Sequence, residues 1–264
     1  MAFWPLEGRR YDMPALFGPS SVPDKTVIED AHAIVLSAPI SRDAAETLLP
    51  NQFRSPDAPV LSLAYVQYND VDYLGGRGYN EIVVTVSAIH EGNDGTIAAA
   101  YAPVLWVNKA GALIAGREFM GLPKLLGNIP DSVEVEGGYR FSCFEEDALL
   151  LQGEATDLAP LAAPALDRVN ARAGEVRTFG WKYIPGPNGS CDVDYPLVNV
   201  MRWNYRTAAT GRGALTFAKP SGSDAPFSEA AIATLRGVPL QGEIRAFYGR
   251  GEATIDRQAT RRIA

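Results

Sequence analysis

The stretch Val133-Glu134-Val135-Glu136-Gly137-Gly138-Tyr139-Arg140-Phe141-Ser142-Cys143 alternates apolar and polar residues on either side of a glycine pair. Period two is the spacing at which side chains reach one face of a strand, and adjacent glycines supply the positive-φ positions of a tight hairpin. Similar strand-like runs recur along the chain: Thr26 to Ala38, Val60 to Tyr68, Glu81 to Ile89 and Thr96 to Val107, the last two joined by the turn-rich Glu91-Gly92-Asn93-Asp94-Gly95. More strands are expected around 148–156, 176–184, 194–208, 213–218 and 241–256. Helical signals are few. Ser41 caps a short segment that Pro50 closes, Asn108 to Phe119 is a second helix, and Ser228 to Arg236, stopped by Gly237, is a third. So many strands leave exposed edges unless the sheet closes on itself. The expected fold is therefore a β-rich, mainly antiparallel α+β structure with a few flanking helices. With no linker or internal repeat, residues 1–264 read as one domain.

Composition excludes several functions. The 24 Lys and Arg against 31 Asp and Glu give a net charge of −7, without the basic stripes that phosphate binding needs, so no nucleic acid partner is expected. No apolar run reaches the ~18 residues of a spanning helix, and the start MAFWPLEGRRYDMP has no apolar signal core, so the expectation is a cytoplasmic protein with no membrane partner. Cys143 and Cys191 are too few for a disulfide framework and are expected to be reduced. His32 and His90 stand apart from each other and from any ligand cluster, which argues against a metal centre, and there is no G-x-S-x-G elbow. The glycine groups Gly75-Gly76-Arg77-Gly78, Gly211-Arg212-Gly213 and Gly249-Arg250-Gly251 fit no nucleotide cradle and read as turns. The first runs directly into Glu81, and a backbone nest with Arg77 there is a candidate holder of a substrate carboxylate.

The chemistry concentrates in GREFMGLPKLLG, residues 116–127. From Ala110, Leu113 and Ile114 lie on one helix face, and Arg117 and Glu118 continue it, either as a salt-bridged helix end or as braces of a pocket. Gly121 permits a tight exit, and Pro123 fixes the backbone just before Lys124. By pattern alone, Lys124 is either a lysine snorkelling past leucines or a nucleophile. Burial disfavours a charged amine, and a neutral amine attacks a ketone to form a Schiff base.

This stretch, preceded by Ala112-Leu113-Ile114-Ala115, resembles the active-site segment of the acetoacetate decarboxylase family, in which a G-R-E helix end leads to P-K and the Schiff-base lysine. Glu81 in Gly78-Tyr79-Asn80-Glu81 resembles the family's active-site glutamate, and Lys182-Tyr183-Ile184-Pro185 with Asn188-Gly189-Ser190 resembles its K-x-I-P…G-S segment. The resemblance implies a closed, cone-shaped antiparallel β-barrel that assembles into homo-oligomers, with Lys124 as nucleophile and Glu81 as proton shuttle. Met120 and Tyr248 are further candidates to line the pocket. The family's second lysine is replaced by Leu125, and the arginine expected near Glu29-Asp30 and the glutamate expected near Ala64 are absent. Leu125→Lys is accordingly expected to alter the pH dependence of adduct formation.

The implied function is that of a lyase that needs no cofactor beyond its own lysine imine and acts on a small oxo acid. Aldol condensation and dehydration of a keto acid such as pyruvate with an aldehyde is the first expectation. Decarboxylation of acetoacetate or a related β-keto acid, with Arg77 or Arg117 holding the acid, is the second. A non-catalytic barrel that binds a small ligand is the third.

Overall fold

A computed structural model describes residues 5–93 and 95–264; residues 1–4 and Asp94, at the tip of the expected 91–95 turn, lie outside the described residues. The β-branched run near the start forms β1 (Lys25–Pro39). Ser41 accepts the amide of Ala44 at 3.2 Å and so caps the short α1 (Arg42–Glu46). Then come β2 (Val60–Val71), β3 (Arg77–Gly92) and β4 (Gly95–Val107), each paired antiparallel to the one before. Helix α2 (Ala110–Met120) carries the chain across to β5 (Lys124–Leu126), which lies parallel to β4. The expected hairpin forms as β6 (Val133–Val135) and β7 (Gly138–Glu145), but its turn is Glu136-Gly137, with Gly137 at φ 72°, while Gly138 is a strand residue paired with Val135, where a Cβ would lie 1.7 Å from the Ala155 carbonyl oxygen. The hairpin is extended by β8 (Ala148–Pro160), followed by α3 (Ala163–Ala173), β9 (Val176–Pro185), β10 (Cys191–Phe217), α4 (Glu229–Arg236) and β11 (Arg245–Arg262).

The hydrogen-bonded order is β11-β1-β2-β3-β4-β9-β10-β8-β7-β6, and β10 also pairs with β11. Pairing is antiparallel except where β4 meets β5 and β9. No helix among the described residues is long and apolar enough to cross a membrane.

Three expectations are corrected. The segments 194–208 and 213–218 are one strand, β10, and the glycine groups at 211–213 and 249–251 lie inside β10 and β11 rather than in turns. A Cβ on Gly211 would lie 2.2 Å from the Thr156 carbonyl oxygen, and one on Gly251 would lie 2.1 Å from that of Asn204. Glycine is present at these positions because neighbouring backbone comes too close for any side chain. Helix α3 was not anticipated. It has Pro164 in its first turn and packs Leu166, Val169 and Ala173, spaced three and four residues apart, against the sheet, a short apolar stripe between polar and alanine positions.

Alternation along the strands sorts the apolar residues onto two faces. Ile34, Tyr65, Ile82, Trp106 and Phe141 belong to one cluster. Ala33, Val66, Tyr68, Tyr79, Leu105, Val107, Met120 and Trp203 belong to the other, which α2 helps to cover.

Candidate active site

Lys124 owes its position to the way α2 ends. Gly121 turns the chain at φ 59°, its amide and that of Leu122 both donate to the Gly116 carbonyl, and Asn199 donates to the Met120 carbonyl at 2.9 Å. From β9, Lys182 donates its ammonium to the Glu118 carbonyl at 2.5 Å, a cation at the helix C-terminus where the dipole favours one. This gives the K-x-I-P lysine a structural job. Beyond Pro123 the chain is already extended, and Leu105 N–H donates to the Pro123 carbonyl at 3.2 Å, which starts the β4–β5 pairing.

Paired residues on adjacent strands share a face. Lys124 pairs with Leu105, and Glu81 pairs with Val107 two residues further along the same strand, so both side chains project from one face into the second cluster. There the Lys124 ammonium contacts the Glu81 carboxylate directly. Lys124 is 6% exposed and Glu81 5%, so little water competes for the contact. Asn80, on the opposite face, binds the Ile129 carbonyl at 3.0 Å and Asp131 at 2.8 Å and anchors the strand next to the glutamate.

Three phenols surround the pair. The Tyr79 ring centre is 5.8 Å from the Lys124 nitrogen and 4.7 Å from that of Tyr68. Burial first, and then the Glu81 charge, push the Tyr68 and Tyr79 hydroxyls well above the usual phenol range. Burial likewise raises Tyr73, with Arg257 opposing and Glu81 reinforcing the shift. All three remain protonated donors. Tyr79, two residues before Glu81 in β3, lies on the same face by strand alternation, a signal carried by the sequence itself.

The other expected residues divide. Met120 packs in the apolar cluster on the lysine's face. Arg117 is exposed and donates to the Lys124 carbonyl at 3.1 Å, so it braces the backbone rather than facing the amine. Glu118 accepts the Met13 amide at 3.3 Å, and among the described residues neither it nor Arg117 forms a salt bridge. Arg77 is exposed at the start of β3 and donates to the Leu74 carbonyl at 3.2 Å. It shares a face with Glu81 four residues away, roughly 13 Å along a strand.

Tyr248 is a correction. The pairing row Tyr248–Ile34–Tyr65–Ile82–Trp106–Leu125 puts it on the face opposite Lys124, where it stacks on Tyr139 at 4.6 Å. Phe247 occupies the row Phe247–Val35–Ala64–Val83–Leu105–Lys124. One residue along a strand is a change of face. The same rows show that Leu125, in the position of the family's second lysine, also points away from the amine.

The arrangement brings a buried amine, a carboxylate in contact with it and protonated phenols to one apolar spot. Such a set can condense with a carbonyl compound and move protons at the adduct.

A family profile described as Acetoacetate decarboxylase (ADC) matches residues 12–252. No curated protein matches the chain significantly. Among solved structures, an acetoacetate decarboxylase superposes with a TM-score of 0.74 at 14% identity, over 96% of this chain and 95% of that one. The enduracididine biosynthesis enzyme MppR complexed with pyruvate gives 0.66 at 17% identity, over 97% and 98%. MppR complexed with the condensation product of pyruvate and imidazole 4-carboxaldehyde gives 0.63 at 18% identity, over 99% and 97%. At these identities the structural likeness is one of fold, while the profile spans most of the sequence, and the chain belongs to the acetoacetate decarboxylase family.

Proposed function

We propose that the protein is a Schiff-base lyase that condenses a small oxo acid such as pyruvate with an aldehyde and then eliminates water. The observation that carries this reading is the buried contact between Lys124 and Glu81. Proton transfer from the ammonium to the carboxylate leaves a free amine and a carboxylic acid. The amine attacks the ketone carbon, the acid protonates the departing oxygen, and water leaves an iminium on the lysine nitrogen. The regenerated Glu81 carboxylate then takes a proton from the carbon next to the iminium. The resulting enamine forms a carbon–carbon bond to the aldehyde, whose oxygen takes that proton back. Loss of the new hydroxyl as water and hydrolysis of the imine release an unsaturated oxo acid and restore the amine. No cofactor enters this sequence, because the iminium nitrogen itself accepts the electrons.

The family profile favours a second reading, decarboxylation of acetoacetate or a related β-keto acid. The same iminium then takes the electrons of the carbon–carboxylate bond, carbon dioxide leaves, and the enamine is protonated on carbon by Glu81 once its carboxylate has taken up a proton from water. Borohydride trapping with pyruvate and with acetoacetate, read by intact mass, tests both readings. An adduct on Lys124 is expected, and its absence with either acid, leaving only a ligand-binding barrel, would overturn them. Evolved carbon dioxide then identifies the decarboxylase, and an unsaturated condensation product identifies the aldolase.

We further propose that the sheet is a closed cone forming a single catalytic domain. The β10–β11 pairing supports this, because it joins strands that the β1–β4 order otherwise separates. A cytoplasmic homo-oligomer without nucleic acid or membrane partners is part of the same proposal, and light scattering tests the assembly.

A further inference from the structure

Among the described residues, Arg257 stands out as a buried charged group on the lysine's face of the sheet whose surroundings do not account for it. Ala253 and Ile255 precede it at alternate positions of β11 and belong to the cluster around Lys124, so the arginine projects on the same side. It is only 5% exposed. Its Nη1 donates to the Pro23 carbonyl at 3.0 Å and to the Thr26 hydroxyl at 2.9 Å, both neutral acceptors. Its Nε has no partner, and among the described residues no carboxylate forms a salt bridge with it. Asp256, its neighbour in sequence, is paired with Arg202, and Asp24 is paired with Arg10 and offers Arg257 only its backbone carbonyl, 2.8 Å from the arginine's amide. A buried guanidinium without a counter-charge is strongly destabilising, and an unfilled buried donor adds to that. Such a group is retained where a ligand supplies the missing anion.

Its position connects it to the reaction centre. The guanidinium lies over the Tyr73 ring at 5.2 Å, while Lys124 lies 5.8 Å from the ring of Tyr79. Both phenols sense the Glu81 carboxylate and the Arg257 guanidinium, the first raising and the second lowering their titration against a larger upward effect of burial. The carboxylate and the arginine therefore flank one pair of tyrosines. Nothing comparable surrounds Arg77 or Arg117, which are exposed and bound to backbone carbonyls.

We propose that Arg257 holds the carboxylate of the oxo acid whose ketone reacts with Lys124, with its free Nε–H as a donor to that anion. This rests on the Schiff-base reading and assigns its acid-binding residue to the last strand instead of the first. Guanidinium and carboxylate form charge-assisted, often bidentate hydrogen bonds, so one residue can supply most of the discrimination between an acid and its neutral ester.

The test compares each of three acids, pyruvate, acetoacetate and 4-oxopentanoate, with its methyl ester in borohydride trapping on the wild type, Arg257→Gln and Arg257→Lys. The wild type is expected to trap at least one acid in preference to its ester. Arg257→Gln should lower trapping of that acid about tenfold or more and leave its ester unchanged, and Arg257→Lys should restore part of the preference. Equal loss of acid and ester, which a purely structural arginine would produce, overturns the proposal, as does an unchanged preference. Calorimetric titration with butanoate, which has no ketone, separates this proposal from the lysine chemistry. Binding to the wild type that is lost in Arg257→Gln supports the anion site even if no adduct forms on Lys124. Butanoate binding that is absent from the wild type or retained in the variant overturns it.

Discussion

Gly116 and Lys124 occupy the same space: a Cβ on the glycine would lie 2.4 Å from the lysine's Cε and 2.5 Å from its Cδ. The helix turn that precedes Lys124 is therefore also the floor beneath its side chain. Alanine suits a helix interior better than glycine by about 1 kcal/mol, and the obstructing group is a flexible stem rather than backbone. Gly116→Ala is expected to fold, to keep its melting temperature within a few degrees, and to push the amine off Glu81. Trapping of a neutral ketone such as 2-butanone should fall by about 100-fold, the order of effect expected for a misplaced reacting group.

Leu125 reverses an expectation. Its side chain packs with the cluster on the far face of the sheet, in the row that ends at Tyr248. Leu125→Lys should therefore leave the pH profile of adduct formation unchanged. The new ammonium would meet apolar neighbours such as Trp106, so a loss of about 1–3 kcal/mol in urea unfolding is expected. A displaced pH profile would mean that position 125 borders the amine after all.

The Lys124–Glu81 contact has opposite consequences for stability when one partner or both are removed. Lys124→Ala leaves a carboxylate buried without its counter-charge and should cost about 3–5 kcal/mol in chemical denaturation. Adding Glu81→Leu to a Lys124→Met chain removes both charges at similar volume and should recover most of that loss, while activity stays absent. Glu81→Gln keeps a hydrogen-bonding partner but no base. It should still form some trapped imine while product formation drops about 100-fold or more.

Acid sensitivity is expected from Asp30, within β1. Asp30 takes two hydrogen bonds from Arg250, at 2.7 and 2.8 Å, and one from Arg206 at 3.1 Å. The Arg250 hydrogen bonds, opposed by partial burial and aided by Asn69, hold its carboxyl at about 2 instead of 3.8. A carboxyl lowered on folding stabilises the folded state above its unfolded value and loses that contribution as pH falls through the folded one. Thermal melts should accordingly steepen their decline as pH drops from 3.8 towards about 2. Asp30→Asn should flatten that limb.

What was legible in the sequence was local. Runs such as Val60 to Tyr68 and the Gly137-Gly138 hairpin carry their period within a few residues, and the G-R-E…P-K segment identifies Lys124 without any tertiary information. What was not legible depends on pairing. Tyr248 and Phe247 are neighbours in the chain, and only the register with Val35 and Ile34 decides which of them shares a face with the lysine. Gly211 and Gly251 look like turn residues because the close backbone that excludes a side chain comes from distant segments, around Thr156 and Asn204. Arg257 was invisible for a similar reason. Nothing in Asp256-Arg257-Gln258 separates a buried arginine from the exposed arginines that make up most of its kind.

The crossover from β4 through α2 to β5 has a consequence for how the molecule comes to be reactive. It is a parallel connection set in a mainly antiparallel sheet, and it joins groups 43 residues apart in the chain. Contacts of that range form only after intervening loops have closed, so they come late relative to hairpins such as β6–β7. A nascent chain can therefore have most of its hairpins in place while Lys124 is still an ordinary hydrated ammonium. On the proposed chemistry, the reactive amine appears only when the crossover docks, which makes covalent capture at Lys124 a clock for the completion of folding.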